Sequence, residues 1–90
     1  MTVDVERGRA EVAGEPLDLT ATELRILAML LGRAGKVVRR RELIERLWGP
    51  EAPQSDRAID AHVKSIRRKL GRARDLLETV RGVGYRFTDS

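Results

Sequence analysis

The sequence contains no cysteine, only three aromatic residues and one histidine. The lack of cysteine excludes a disulfide scaffold and a thiolate metal site. His62 has no second histidine to join it, so an ordinary zinc site is excluded as well. No apolar run approaches the roughly 18 residues needed to span a bilayer. Residues 1–14 are charged and lack the apolar stretch of a signal peptide, so we expect a soluble cytoplasmic protein.

Ninety residues suit one domain with one modest core, built mainly from Leu, Ile, Val and Ala.

The charge is distributed unevenly along the chain. Residues 57–86 hold nine basic and three acidic residues, whereas residues 1–56 hold nine basic and ten acidic residues. A basic last third on a nearly neutral body favours a surface that faces a polyanion. A solvated charged face without a partner is the alternative.

Apolar residues alternate with charged ones on both sides of Gly8 and again at Leu17 and Leu19. This alternation is typical of short strands with one buried face, and it predicts an antiparallel sheet over residues 1–19.

Residues 20–72 show the spacing of three helices. Thr20 and Glu23 have the spacing of a capping box and predict the start of the first helix, which glycines at 32 and 35 end. A second helix is expected from about Arg40 to Trp48. Two prolines then place residues 49–55 in a loop. The third helix is expected from about Asp56 to Leu70, with Gly71 at its C-terminal end.

Residues 76–88 have the pattern of a hairpin. Strands at 76–81 and 85–88 flank a tip in which Gly82 and Gly84 permit positive φ. Sheet, three helices and hairpin over residues 1–90 predict one α+β domain of the winged helix-turn-helix class, with residues 76–88 as the wing.

The predicted third helix has one apolar stripe and one basic face. At about 100° per residue, the apolar stripe that we expect to face the core contains Ile59, Val63, Ile66 and Leu70. The opposite face contains Arg57, Ala58, Ala61, Lys64, Ser65, Arg68 and Arg72. Small residues let a helix approach a groove floor, and Arg and Lys reach phosphates and guanine acceptors. A helix that faces nucleic acid is therefore expected. Asp60 is spaced to pair with Lys64.

Three further residues are candidates for contacts with nucleic acid, and each also has an ordinary structural interpretation. Arg81 at the hairpin tip can enter a minor groove, or it is an exposed turn residue. His62 lies beside the basic face, where it contacts DNA or simply occupies the surface. Trp48 is expected to fill the space under the 49–55 loop, and its indole N–H can also donate to a phosphate.

No constellation of catalytic residues is present. Asp60 and His62 are two residues apart on one helix and do not face each other, so they form no triad with Ser65. The glycines at 82 and 84 are not followed by the Gly-Lys-Ser/Thr of a P-loop. We therefore expect neither an enzyme nor a bound cofactor or metal.

Five blocks of the sequence, at 19–24, 35–43, 47–49, 57–70 and 79–87, resemble the OmpR/PhoB-type effector domain of two-component response regulators. The resemblance implies sequence-specific binding of double-stranded promoter DNA and regulation of transcription. It also implies head-to-tail dimers on direct repeats, with the third helix in the major groove and the wing in the minor groove. A receiver domain and a sensor kinase belong to the full-length system. We expect an excised effector domain rather than a stand-alone protein.

The resemblance assigns roles to particular residues. Backbone or wing contacts fall on Trp48, Arg57, His62, Lys64, Arg67, Thr79, Arg81 and Tyr85. Positions that face bases or their neighbours are Ala58, Ala61, Ser65 and Arg68. The loop that contacts RNA polymerase in the family falls on Pro50, Glu51, Ala52, Pro53 and Gln54.

Two departures from the family pattern mean that a relative's operator cannot be transferred: Ala58 stands where Thr is frequent, and Ser65 stands where a base-reading cation is frequent. Arg39 also replaces the usual Ser or Thr cap of the second helix, so a different start of that helix is expected. A winged helix that binds protein without reading DNA, and a domain that binds nucleic acid non-specifically or prefers RNA, are the alternatives.

Overall fold

The computed structural model describes residues 1–33 and 35–88. The chain opens with a three-stranded antiparallel sheet of β1 (Thr2–Asp4), β2 (Arg9–Val12) and β3 (Glu15–Pro16). The expectation of strand structure at Leu17 and Leu19 was wrong, because β3 ends at Pro16 and the two leucines pack against the helical core.

Three helices follow, and they begin and end close to their expected positions. They are α1 (Ala21–Leu31), α2 (Arg40–Trp48) and α3 (Asp56–Leu70). The capping box of α1 is confirmed: the Glu23 N–H donates to the Thr20 hydroxyl at 3.2 Å, and the Thr20 N–H donates to the Glu23 carboxylate at 2.9 Å. Arg39 occupies the cap position of α2 without a side-chain cap hydrogen bond, which fits the absence of Ser or Thr there.

A short 3₁₀ helix (Gly71–Leu76) leads from α3 into a second sheet. This sheet contains β4 (Val38–Arg39), β5 (Leu77–Val80) and β6 (Gly84–Phe87), in the spatial order β4-β6-β5. The expected hairpin is therefore present as β5 and β6, and β4 adds a third strand from the segment that joins α1 to α2.

The two glycines of the hairpin have different structural reasons. Gly82 has φ 75°, as expected for the turn. Gly84 was also expected to serve the turn, but it does not have positive φ. A Cβ added to Gly84 would overlap the carbonyl oxygen of Val38 and lie 2.9 Å from the Cα of Arg39. Glycine is needed there because β4 passes close to β6.

The core lies between the helices and the second sheet, and α3 contributes a full stripe to it. Ile59, Val63 and Ile66 are completely buried and Leu70 is 4% exposed, so the expected orientation of α3 is confirmed. The opposite side of α3 consequently points away from the protein. Within the described ranges, no helix combines the length and apolar character needed to cross a membrane.

Candidate nucleic-acid interface

Four exposed residues form a continuous surface along α3. This basic stripe consists of Arg57, Ala61, Lys64 and Arg68. In the part of the chain that the structure describes, none of its three cations forms an ion pair. Ala58 and Ser65 border the stripe and are half-buried. The basic stripe thus offers free positive charge with little side-chain bulk between the cations, an arrangement suited to a polyanion.

On one flank of the stripe, Asp60 ties α3 to α2 and β6. Its carboxylate accepts a hydrogen bond from Arg40 Nε at 2.7 Å and another from the Tyr85 hydroxyl. The expected Asp60–Lys64 pair was wrong, because Arg40 at the start of α2 occupies this carboxylate while Lys64 points outward. Burial raises the pKa of Asp60, but the hydrogen bonds from Arg40 and Tyr85 outweigh it and hold that pKa below its usual value.

Tyr85 lies at the centre of this flank. It is 3% exposed, and burial together with the hydrogen bond to Asp60 raises its pKa. The guanidinium carbon of Arg40 lies 4.9 Å from the centre of its ring, and that of Arg67 lies 5.6 Å from it. Such distances allow cation–π attraction. Tyr85 therefore has little surface to offer a ligand, and its hydroxyl already has a partner.

Arg67 joins the same flank to the wing. Its Nε and Nη2 donate to the carbonyl oxygen of Leu77 at 2.9 and 2.8 Å, and Nη2 donates to the Thr79 hydroxyl at 2.6 Å. Both protein partners belong to β5, so this guanidinium holds the wing strand against α3. Thr79 itself is exposed.

On the other flank of the stripe, Glu23 ties α3 to α1. The Glu23 side chain is 4% exposed, and its carboxylate accepts a hydrogen bond from Lys69 Nζ at 2.7 Å. Burial raises the pKa of Glu23. Hydrogen bonds from Lys69, Ser65 and the Thr20 backbone lower it by more than burial raises it, and the resulting pKa is about 2. Polar contacts thus hold α3 on both sides, and the basic stripe lies between them.

Trp48 and His62 meet at the end of α2. Their ring centroids are 6.1 Å apart with an interplanar angle of 35°, and both residues are half-buried. Trp48 therefore packs against α3 as well as preceding the loop.

The 49–55 loop is held by Arg41. Its Nη2 donates to the carbonyl oxygens of Pro50 at 3.0 Å and Ala52 at 3.3 Å, while its Nε donates to Glu45 at 3.1 Å. Within this loop Pro50, Glu51 and Pro53 are exposed, whereas Ala52 and Gln54 are half-buried.

The wing tip projects three exposed residues, Arg81, Gly82 and Val83. The Val83 N–H donates to the Val80 carbonyl oxygen at 2.9 Å and closes the turn. Among residues 1–33 and 35–88, Arg81 has no ion-pair partner. The tip can therefore present this guanidinium to a ligand.

Sequence reasoning did not assign Arg40 or Lys69 to the flanks of α3, and it gave Glu23 only a capping role. A signal for Glu23 exists in the sequence: it stands four and seven residues before Leu27 and Leu30, on the core-facing side of α1. No comparable local signal points from Arg40 to Asp60, which is 20 residues away.

Three helices, the last with an outward basic stripe, and a β-hairpin at their side define a winged helix-turn-helix protein. Residues 14–87 match the family model described as "Transcriptional regulatory protein, C terminal". The chain belongs to this family, the DNA-binding domains of OmpR/PhoB-type response regulators, which are transcription regulators and not enzymes.

Individual relatives agree with this membership. The chain is 38% identical over 87 residues to the transcriptional regulatory protein CseB of Streptomyces coelicolor. The matched region covers 97% of this chain and 36% of CseB. Its fold is similar to the crystal structure of the response regulator AdeR DNA-binding domain in complex with an intercistronic region (TM-score 0.84, 30% identity, 99% of this chain and 94% of that one). It is also similar to the Klebsiella pneumoniae RstA DNA-binding domain in complex with the RstA box (TM-score 0.82, 28% identity, 96% of this chain and 88% of that one). The chain spans a little over a third of the length of the curated relatives it matches.

Proposed function

We propose that this chain binds double-stranded promoter DNA sequence-specifically and regulates transcription as the output domain of a response regulator. The observation that carries the proposal is the basic stripe. Its three cations point outward and have no ion-pair partner among the described residues, while the apolar side of α3 is buried. The complexes of the AdeR and RstA domains with DNA support this choice of ligand.

In this proposal α3 enters the major groove and the wing approaches the adjacent minor groove. Contacts from cations and hydrogen-bond donors to the phosphates set the register of the protein on the duplex. Other side chains on the outward face of α3 contact the edges of the bases. The residues near phosphates or in the wing are Trp48, Arg57, His62, Lys64, Arg67, Thr79, Arg81 and Tyr85. Tyr85 is in this set as a nearly buried wing residue, and we assign it no phosphate contact of its own. The residues near bases are Ala58, Ala61, Ser65 and Arg68.

Further partners follow from the same proposal. Two copies bind head to tail on direct repeats, and the 50–54 loop contacts RNA polymerase. Exposure of Pro50, Glu51 and Pro53, together with the hold of Arg41 on this loop, supports such a contact. A receiver domain and a sensor kinase control the full-length protein. Because the ligand is chromosomal promoter DNA, the place of action is the cytoplasm.

Selection of bound duplexes from a random pool tests the proposal. The chain should enrich one motif, and changing a single contacted base pair of that motif should weaken binding by about 1–3 kcal/mol in a fluorescence-anisotropy titration. Arg68→Ala should reduce this discrimination at the base pairs that the side chain faces. Arg25→Ala is the matched control, because Arg25 is exposed on α1 and lies about 200° around that helix from Glu23, which faces α3.

Two outcomes contradict the proposal. Equal affinity for every duplex, or a preference for RNA, indicates a non-specific nucleic-acid binder. Absence of binding at low salt indicates a protein-interaction module that acts through a surface such as the 50–54 loop.

A further inference from the structure

Asp60 lies beside the basic stripe, where a negative charge opposes the approach of DNA. Its side chain is 46% exposed, whereas the side chain of its partner Arg40 is 18% exposed. An acid at the edge of a DNA-facing surface needs a reason that outweighs this repulsion. Its hydrogen bonds supply one: the bond from Tyr85 joins α3 to β6, the strand that leaves the wing tip, and the bond from Arg40 joins α3 to α2.

In the described part of the chain, Arg67 makes the other polar attachment of the wing to α3. It donates to the carbonyl oxygen of Leu77 and to the Thr79 hydroxyl on β5. Tyr85 pairs with Thr79 in the register of the hairpin, so the Asp60 and Arg67 attachments grip the two strands at the same level. The pairing of β6 with β4 already fixes the base of the hairpin. Polar attachments on both strands at one level restrict its remaining tilt about α3 more than an attachment on one strand does.

From this arrangement we propose that Asp60 and Tyr85 are positioning residues that set the angle between the recognition helix and the wing. They act through this angle on the depth at which Arg81 enters the minor groove, and they make no direct contact with DNA themselves. The inference rests on the proposed DNA binding and deepens it. It assigns part of the sequence selectivity to the hydrogen bond between Tyr85 and Asp60, which we call the link.

Two conservative variants test the link. Tyr85→Phe keeps the buried ring and removes the hydroxyl, and Asp60→Asn keeps an acceptor oxygen and removes the charge. Asp75→Asn is the matched control, because it removes one negative charge from an exposed position of the basic last third without touching the link. Thermal unfolding of each variant establishes that the domain remains folded before binding is compared.

The binding readout is the ratio of affinities for two synthetic duplexes, a selected site with an A-tract at the wing position and the same site with that tract replaced by G·C pairs. Tyr85→Phe should lower this ratio about fivefold, and Asp60→Asn should lower it less, because its amide oxygen can still accept from Tyr85 and Arg40. Adding Arg81→Ala to Tyr85→Phe should lower the ratio little further, because both changes disable the same contact. Asp75→Asn should strengthen binding to both duplexes alike and leave the ratio unchanged.

The second readout needs no DNA. Residual dipolar couplings of backbone N–H groups in the free protein should fit one common orientation for α3 and the wing in the unmodified chain. In Tyr85→Phe, the couplings of residues 77–87 should depart from that orientation while those of α3 remain, and Asp60→Asn should show a smaller departure of the same kind.

The outcomes separate this inference from the proposed function. If Tyr85→Phe weakens both duplexes equally and reduces the salt dependence of binding, Tyr85 is a phosphate contact and the inference is overturned. An unmodified chain that binds all duplexes equally contradicts the proposed function, and the dipolar couplings alone then decide whether the link orients the wing. Unchanged couplings in both variants overturn the inference regardless of how DNA binds.

Discussion

At the scale of single residues, Gly84 shows how one missing side chain allows two strands to meet. A Cβ at this position has no space because it would overlap the backbone of β4. Gly84→Ala should therefore lower the free energy of unfolding by about 2–4 kcal/mol, measured by urea denaturation, because a backbone obstacle cannot move aside as a flexible side chain can.

Gly82→Ala provides the comparison for Gly84. Gly82 has positive φ but no heavy atom within 4 Å of an added Cβ, so its substitution should cost only about 1 kcal/mol of backbone strain. A cost for Gly84→Ala equal to or below that for Gly82→Ala would show that β4 and β6 separate easily.

Glu23 should make stability depend on pH. Its pKa is about 2 in the folded protein against an ordinary value of 4.5, so the ionised form is favoured by folding. The resulting stabilisation, on the order of 3 kcal/mol, is fully present above about pH 5 and is lost as the pH falls toward about 2. Chemical denaturation at a series of pH values measures this loss.

Glu23→Gln isolates the contribution of this carboxylate. The variant should be less stable at pH 7, because Lys69 loses the negative charge of its partner. Its stability should also fall less between pH 5 and pH 2. Glu15→Gln, on an exposed position of β3, is the control and should leave the pH profile unchanged. If Glu23→Gln loses as much stability between pH 5 and pH 2 as the unmodified chain, other carboxylates cause the pH dependence.

At the scale of elements, local signals were sufficient for the helices. The capping box marked the start of α1, the prolines of the 49–55 loop limited α2, and Gly71 marked the end of α3. The short strands were less predictable, because two or three residues carry almost no period. Alternation at Leu17 and Leu19 indicated a strand, but packing of these leucines on the helical core produces the same pattern.

The wing is the element whose role depends on one exposed cation. Arg81→Ala should weaken binding about tenfold at sites with a narrow A·T minor groove and much less at G·C-rich sites, because a narrow groove concentrates negative potential. Arg81→Lys keeps the charge and should recover only part of the loss, since a lysine ammonium is more strongly hydrated than a guanidinium. Anisotropy titrations on the two duplexes measure both effects, and equal losses on both would reject minor-groove reading by Arg81.

At the scale of the whole molecule, the orientation of α3 was predictable and the contacts that hold it were not. The apolar stripe required burial, so the basic stripe had to face outward. The links from Glu23 to Lys69 and from Arg40 to Asp60 join residues far apart in the sequence. Their formation depends on how complete elements pack, and residue spacing within one element contains no information about that packing. The same limit explains why Asp60 was expected to pair with its near neighbour Lys64.

The proposed interface as a whole should reveal itself in the dependence of binding on salt. If about six phosphates are neutralised, the logarithm of the binding constant should fall against the logarithm of salt concentration with a slope near −5. Lys64→Ala should reduce the magnitude of that slope by about 1, because one phosphate contact and its released counterion are lost. Arg25→Ala removes the same charge from the side of α1 that faces away from α3, so its slope should match that of the unmodified chain. A slope shallower than about −2, or equal changes in the two variants, would mean that general positive charge and not the basic stripe docks on DNA.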